Sequence, residues 1–242
     1  DPCKTSTYGV GQMIRHAVEH GNRKILLGLG GSCTNDGGCG CAAALGVKFT
    51  RADGSSFIPV GGNLDQIAGI GLQEAQQFLR NVSLSAMCDI DNPLYGPTGA
   101  AYVFAPQKGA DEQMTAFLDQ QLIALSHTIE TQLGCSVAAI PGAGAAGGFG
   151  AVMVAFLGAE LQPGIEAVLE LVNFDSLLAD CDMVFTGEGQ MDSQSLHGKA
   201  VIGIAGRAAK KHVPVTVIVG SVGDGAEGGY EMGVSAIFSI NR

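Results

Sequence analysis

The stretch KILLGLGGSCTNDGGCG, residues 24–40, decides the fold class that this sequence predicts. Its apolar residues 25–27 predict a β-strand over 24–29, and CAAAL at 41–45 predicts a helix after a glycine-dense loop. A strand, a glycine loop and a helix in this order can point several backbone N–H groups at an anion. Glycine permits the positive φ angles and close backbone approach that such a loop needs. The stretch therefore predicts a βα unit that handles a phosphorylated ligand.

Polar residues are concentrated in the middle of this loop. Ser32, Thr34 and Asn35 are neutral hydrogen-bonding groups, and Asp36 is a carboxylate that could hold a metal ion. Loops that only connect two elements rarely carry so many polar side chains, although a tight structural connection is the alternative interpretation. The loop is not a Walker A motif, because no Gly-Lys-Ser/Thr follows at the required spacing.

Composition limits the class of protein. The chain has 242 residues, is 46% hydrophobic and has a formal net charge of −10, so it can form one large domain or two small ones. With no basic stripe, nucleic acid is excluded as a partner. No apolar run approaches the ~18 residues of a membrane span. The seven cysteines form no Cys-x-x-Cys pair, so we expect mostly buried thiols in the cytoplasm.

The alternation of apolar strands and helices predicts an α/β fold with a largely parallel sheet. From about residue 180 the spacing is regular, with a strand over 183–187, a helix over 199–211 and a strand over 214–219. The earlier part is less regular. Because the chain begins without methionine and ends in a predicted strand, we expect a fragment cut at both ends.

A second polar stretch, TGEGQMDSQS at 186–195, follows a predicted buried strand. Open α/β sheets bind ligands at the carboxyl ends of their strands, so Glu188 and Asp192 are predicted to project there from a loop. Either carboxylate could accept a proton from a substrate hydroxyl or hold Mg²⁺. The alternative is that Asp192 caps the next helix and Glu188 is solvated. Lys199 could contact a phosphate or face solvent.

Two carboxylates also follow the strand predicted over 82–87. Asp89 and Asp91 are two residues apart and would share a side of an extended chain, which suits a divalent cation. The alternative is an ordinary turn at Asn92-Pro93. Lys108 lies on a turn before the longest predicted helix, 111–133, and could contact a phosphate.

The segment GAGAAG at 142–147 matches Gly-x-Gly-x-x-Gly. Residues 137–140 could supply the preceding strand, but Pro141 intervenes, and no acidic residue ends a second strand about 20 residues later. We therefore interpret Gly144 and Gly147 as part of a second anion-binding or helix-packing turn.

Together these stretches resemble the class I glycerate kinases. The similar motifs, in chain order, are DP at 1–2, TS at 5–6, YG at 8–9, GLGGSCTNDGG at 28–38, DIDNPL at 89–94, GA at 99–100, FAPQKG at 104–109, PGAGAAGG at 141–148, FLGA at 156–159, TGEG at 186–189, DSQ at 192–194 and GK at 198–199. Cys33 departs from the alanine expected in the loop. The family's N-terminal Asp-Ser-x-Lys and Ala-Asp-Gly-Gly-Glu-Gly segments and its C-terminal helical segment are absent from this sequence.

The resemblance implies two α/β domains, one Rossmann-like with a parallel sheet and built from both chain ends, the other a mixed α/β domain inserted between them. Residues 1–175 would then be mostly the inserted domain, and 176–242 an incomplete part of the Rossmann-like domain. The implied reaction is ATP-dependent phosphorylation of D-glycerate with Mg²⁺, with 2-phosphoglycerate as the expected product. The implied partners are glycerate and a nucleotide, and the sequence carries no signal for an oligomeric state.

The site residues follow from this interpretation. Asp192 is the predicted general base with Asp36 as the alternate, and Asp89 and Asp91 are the predicted metal ligands. The predicted substrate- and phosphate-binding residues are Gly30, Gly31, Ser32, Thr34, Asn35, Lys108, Gly144, Gly147, Gly187, Glu188, Ser193 and Lys199. Two other functions stay open: an NAD-dependent oxidoreductase that uses 142–147 as its dinucleotide turn, and an inactive or purely structural fragment.

Overall fold

Parallel strands form the framework of both halves of the chain, as the alternation of strands and helices predicts. The computed structural model describes residues 1–196 and 200–241. The chain divides into two units, Asp1–Gln162 and Pro163–Arg242. The resemblance implies a domain boundary near residue 175, and the assignment of the two parts to an inserted and a Rossmann-like domain stays a prediction.

The first unit contains a parallel sheet, a small antiparallel sheet and the helices around them. Its helices are α1 (Tyr8–Glu19), α2 (Cys39–Leu45), α3 (Gln73–Phe78), α4 (Ala100–Phe104), α5 (Glu112–Leu133) and α6 (Ala145–Leu157). Its strands are β1 (Lys24–Gly28), β2 (Lys48–Thr50), β3 (Ser56–Phe57), β4 (Gly69–Gly71), β5 (Ser83–Met87) and β6 (Glu160–Gln162). The parallel sheet has the order β1-β5-β6 and the antiparallel sheet the order β3-β2-β4.

The register of the parallel sheet brings two of the predicted motifs together. Lys24 lies opposite Ser83 and Gly28 lies opposite Met87, so β1 and β5 end side by side. The glycine loop leaves the end of β1, and the segment with Asp89 leaves the end of β5. The carboxyl edge of this sheet is therefore the place at which a ligand site can be assembled.

Helix α5 is the longest predicted helix, and its boundaries agree with the prediction. Asp111 caps its N-terminus, accepting a 2.8 Å hydrogen bond from the Met114 N–H, which satisfies an otherwise unpaired donor. The apolar face buries Leu118, Leu122 and Leu125 in the core. Phe117 also fits the apolar spacing of this helix but is 44% exposed, because it lies to one side of the apolar stripe.

The second glycine cluster forms a left-handed turn at the start of α6. Ala146, Gly147 and Gly148 have φ angles of 51°, 72° and 90°. A side chain on Gly147 would collide with the Thr34 carbonyl oxygen, so glycine lets this turn pack on the first loop. The strand proposed for 137–140 does not form, which removes the strand that a dinucleotide-binding fingerprint requires.

The second unit has a three-stranded parallel sheet of order β7-β8-β9. Its strands are β7 (Val184–Met191), β8 (Val215–Val222) and β9 (Ala236–Ser239). Its helices are α7 (Gly164–Leu171), α8 (Phe174–Leu177), α9 (Ala200–Lys210) and α10 (Gly228–Glu231). Within the described residues, no helix is both long enough and apolar enough to cross a bilayer.

Strand β7 corrects one prediction. The glycine motif at 186–189 was expected in a loop after a short strand, but it lies inside β7, where Gly187 pairs with Ile218 and Glu188 with Val219. A side chain on Gly187 would collide with the Ile218 carbonyl oxygen, so this glycine permits close strand pairing. Asp192, by contrast, follows the end of the strand as predicted.

Candidate functional site

A cavity of about 520 Å³ lies at the carboxyl edge of the first parallel sheet. Four parts of the first unit form its wall, and each of them carries a motif that the sequence predicts as a site. The lining residues are Leu29, Gly30, Gly31, Ser32, Cys33, Met87, Cys88, Asp89, Ile90, Phe104, Gln107, Lys108, Ala145 and Ala146. The fold thus assembles the first glycine loop, the end of β5, the lysine turn and the second glycine turn around one space.

The first glycine loop, residues 30–36, is here named the anion loop. Among the described residues, none of its backbone N–H groups donates a hydrogen bond to a protein acceptor. Its carbonyl groups are used differently: the Cys33 oxygen accepts from Thr5 Oγ1 at 2.8 Å, and the Thr34 oxygen accepts from Lys108 Nζ at 2.7 Å. Backbone N–H groups that the protein leaves unused are suited to bind an anion.

Lys108 supplies a positive charge at the cavity wall. Burial lowers the pKa of this lysine to about 8, while nearby Cys33 and Asp36 act in the opposite direction. At pH 7 the side chain is therefore still mainly cationic, and it can neutralise a phosphate or carboxylate. Of the two predicted lysine contacts, Lys108 reaches the cavity, and Lys199 lies outside the described residues.

Asp36, the last residue of the anion loop, is fully buried and does not line the cavity. Its Oδ2 accepts hydrogen bonds from the Thr7 N–H at 2.8 Å, Thr7 Oγ1 at 2.9 Å and the Gly40 N–H at 3.2 Å, and its Oδ1 accepts from the Gly38 N–H at 3.1 Å. Burial raises the pKa of Asp36, and these hydrogen bonds oppose the rise. In this arrangement the carboxylate holds the loop to α1 and α2.

Thr34 and Asn35 also turn away from the cavity. Both are buried, and neither is a lining residue, whereas Gly30, Gly31 and Ser32 are. Within the described chain, Thr34 Oγ1 and both polar atoms of the Asn35 amide have no hydrogen-bond partner. Buried polar groups normally have partners, and ordered water is the usual one when protein atoms are not.

The two predicted metal ligands have different positions. Asp89 lines the cavity, and Asp91 is exposed and does not. Among residues 1–196 and 200–241, no group of three or more His, Cys, Asp or Glu side chains is placed to hold a metal ion. One carboxylate nevertheless fits Mg²⁺ bound to a nucleotide, because that ion usually takes its remaining ligands from phosphates and water.

Several residues of the site were not predicted. Phe104 lines the cavity from the end of α4, Gln107 from the turn that carries Lys108, and Ala146 from the left-handed turn. Thr5 and Thr7 hold the anion loop from outside the cavity. The signals for the threonines are the family-like Thr5-Ser6 motif and the Thr-Ser-Thr stretch before α1, and neither indicates a distant partner.

The second unit contains the other predicted residues. Asp192 Oδ1 accepts from the Gln194 N–H at 2.8 Å, so this side chain caps the 3₁₀ turn Ser193–Leu196. The Ser193 N–H donates to the Asp224 carbonyl at 3.0 Å. Glu188 is half-buried, and its Oε1 has no partner among the described residues. Asp192 thus makes the capping contact that was the alternative interpretation of this residue.

Comparison with known proteins defines the class of this chain. The model of the glycerate kinase family matches residues 1–242, and the chain belongs to that family. It is 47% identical over 240 residues to a glycerate kinase of Halalkalibacterium halodurans and 44% identical over 240 residues to a glycerate 2-kinase of Escherichia coli K12. In each comparison, 99% of this chain is covered.

A solved structure is also similar. The crystal structure of a protein assigned as glycerate kinase 2 from Salmonella typhimurium LT2 is 41% identical and has a TM-score of 0.86, covering 99% of this chain and 62% of that chain. The chain spans 63% of the length of the two curated relatives named above. The α/β fold predicted from the sequence is thereby confirmed.

Proposed function

We propose that this chain is the larger part of an enzyme that transfers the γ-phosphoryl group of ATP to a hydroxyl of D-glycerate, giving 2-phosphoglycerate. The observation that carries the proposal is the convergence of unused anion-loop N–H groups and the Lys108 ammonium on one cavity. The resemblance to a relative named glycerate 2-kinase supports the choice of the 2-hydroxyl.

The cavity residues have complementary roles in this proposal. Gly30, Gly31 and Ser32 bind a phosphate or the glycerate carboxylate through the anion loop, and Lys108 neutralises its charge. Asp89 would hold a magnesium ion together with phosphate oxygens, and that ion would neutralise charge on the nucleotide. Phosphoryl transfer depends mainly on positioning and charge neutralisation, which these groups can supply.

The acceptor hydroxyl must lose its proton as its oxygen attacks the γ-phosphorus and the bond to the ADP oxygen breaks. We propose that Asp192 accepts this proton as the general base. This carboxylate follows the carboxyl end of a parallel strand, where open α/β sheets bind their ligands. Asp36, the alternate candidate for the base, is given a positioning role instead, since its side chain is fully buried whereas Asp192 is only partly buried. A cytoplasmic location is part of the proposal, as seven cysteines suit a reducing compartment.

A phosphorus NMR assay tests the proposal. The chain, extended to the full length of its relatives, is incubated with ATP, Mg²⁺ and D-glycerate, and a sample without glycerate controls for ATP hydrolysis. We expect a new phosphomonoester signal coupled to the C2 proton. Coupling to C3 protons would contradict the assigned product, and no transfer by the folded protein would contradict the activity. The same assay on the 242-residue chain tests the alternative of an inactive fragment.

A further inference from the structure

Before Asp36, the anion loop is held by few hydrogen bonds. Among the described residues, only two hydrogen bonds reach residues 30–35: Thr5 Oγ1 donates to the Cys33 carbonyl, and Lys108 Nζ donates to the Thr34 carbonyl. These carbonyls belong to consecutive residues, and the two donors come from distant parts of the chain. Residues 30–35 are therefore held by one threonine and one lysine, while Asp36 anchors the end of the loop to Thr7 and Gly40.

The two donors are not equivalent. Lys108 lines the cavity and carries the charge that a bound phosphate or carboxylate attracts. The ammonium group has three N–H donors on a flexible side chain, so Lys108 can share them between such an anion and the Thr34 carbonyl. Thr5 does not line the cavity, and its hydroxyl is neutral. Its contact with the loop can therefore persist when an anion is bound.

The Thr5 hydrogen bond also fixes the orientation of the Thr34 N–H group. A trans peptide points its N–H opposite to its C=O, so the bond from Thr5 to the Cys33 oxygen directs the Thr34 N–H away from Thr5. The neighbouring chain is itself held in place, because Thr7 donates to Asp36 and a side chain on Gly40 would collide with Ser6 Oγ. Thr5 consequently acts on the loop from an anchored segment.

We infer that Thr5 is a positioning residue of the anion-binding site, whose hydroxyl holds the loop backbone in place while Lys108 engages the bound anion. The inference rests on the proposed function only in taking the cavity to be an anion site. It gives a role to the Thr5-Ser6 motif, which the interpretation of the cavity left unused.

The test compares Thr5→Val, which removes the hydroxyl at similar size, with Thr5→Ser, which keeps it. Thr131→Val is the matched control, because Thr131 donates to the His127 carbonyl on the exposed side of α5, away from the loop. All variants are made in the chain extended to the length of its relatives. The affinity for inorganic phosphate is measured by calorimetry, and protection of Cys33 from alkylation is followed by mass spectrometry, since Cys33 lines the cavity.

We expect Thr5→Val to raise the dissociation constant for phosphate about three- to tenfold, the effect of losing one hydrogen bond, with an unchanged urea midpoint. Thr5→Ser and Thr131→Val should stay within about twofold of wild type. If Thr5 had only a packing role, Thr5→Ser would not keep the wild-type affinity for phosphate, because serine lacks the methyl group of threonine. If the valine variant does not fold, Thr5→Ala provides the same comparison with a smaller side chain.

Wild-type affinity for phosphate in Thr5→Val would overturn the inference, and so would weaker binding that Thr5→Ser does not restore. These outcomes are separate from failure of the proposed function. A protein that binds phosphate but transfers none to glycerate would contradict the reaction, while the comparison of Thr5 variants would still decide the inference. A wild-type protein that binds no phosphate would overturn both.

Discussion

The Lys108 ammonium lies 2.7 Å from the Thr34 carbonyl oxygen, across 74 residues of sequence. This contact joins the turn before α5 to the anion loop and brings a half-buried cation to the cavity wall. The carbonyl compensates only partly for the water that the ammonium loses, so burial still lowers the pKa of Lys108 to about 8. The lysine therefore titrates close to physiological pH.

The first prediction concerns the pH dependence of anion binding. As pH rises through about 8, Lys108 in the folded protein loses its proton, so affinity for sulfate should fall above that pH. Sulfate is the probe because its own charge does not change in this range. Lys108→Met should lower the affinity at pH 7 about tenfold or more, the worth of a charge-assisted hydrogen bond, and remove the pH dependence. Calorimetry between pH 6.5 and 9.5 measures both effects.

The control for this prediction is Lys210→Met, which removes an exposed lysine at the end of α9. It should keep the wild-type pH dependence of sulfate affinity.

The lowered pKa of Lys108 also makes the free energy of unfolding depend on pH. Between about pH 8 and the ordinary lysine value of 10.5, the unfolded chain binds more protons at Lys108 than the folded one, so this residue makes the protein more stable as pH rises. If Lys108→Met showed the wild-type pH dependence of sulfate affinity, the role of Lys108 in binding would be contradicted. If it showed the wild-type pH dependence of stability, the stability effect would be contradicted.

The second prediction separates structure from catalysis at Asp36. In Asp36→Asn one acceptor becomes an NH₂ donor that faces the N–H of Gly38 or of Thr7 and Gly40. We expect a loss of about 1–3 kcal/mol in the free energy of unfolding, measured by urea titration. Exposed Asp65→Asn is the control and should change stability by less than about 0.5 kcal/mol. Wild-type stability with lost turnover would instead indicate a catalytic carboxylate.

The third prediction tests the close approach of the two glycine turns. Gly147→Ala combines a left-handed φ of 72° with a collision against the Thr34 carbonyl oxygen, so it should displace the anion loop and weaken sulfate binding. Gly134→Ala is a matched control, because Gly134 has a φ of 66° and nothing within 4 Å of an added side chain. The control should lose only about 1–2 kcal/mol of backbone strain and bind sulfate normally. Equal losses in both variants would contradict the packing role of Gly147.

The fourth prediction tests the assigned base. Asp192→Asn keeps an oxygen that can accept the Gln194 N–H, so the fold of this turn should survive. Turnover of glycerate in the full-length protein should nevertheless fall at least about 100-fold if Asp192 takes the hydroxyl proton. Exposed Asp182→Asn should leave turnover unchanged. Near wild-type turnover in Asp192→Asn would remove the residue from this role and leave its capping contact as its function.

Local patterns predicted most of the secondary structure. The strand, loop and helix around residues 24–45 and the capped helix α5 follow from apolar periodicity, glycine and an N-cap aspartate, which act over a few residues. The extension of β7 through Glu188 was not predicted, because glycines are unfavourable in strands and only pairing with β8 explains it. The position of Asp91 outside the cavity was missed because spacing indicates a shared side, not what that side faces.

The sequence by itself determined the α/β class, the glycine loop and the family to which the motifs belong, since these depend on neighbouring residues. Only the tertiary structure decided which polar groups surround the cavity. Asp36 and Thr7 are 29 residues apart in sequence, and their contact buries a carboxylate that the loop pattern had made a candidate base. The contact between Lys108 and Thr34 likewise depends on how α5 and the sheet pack. Burial and long-range hydrogen bonding set the chemistry of each group, and no local pattern contains them.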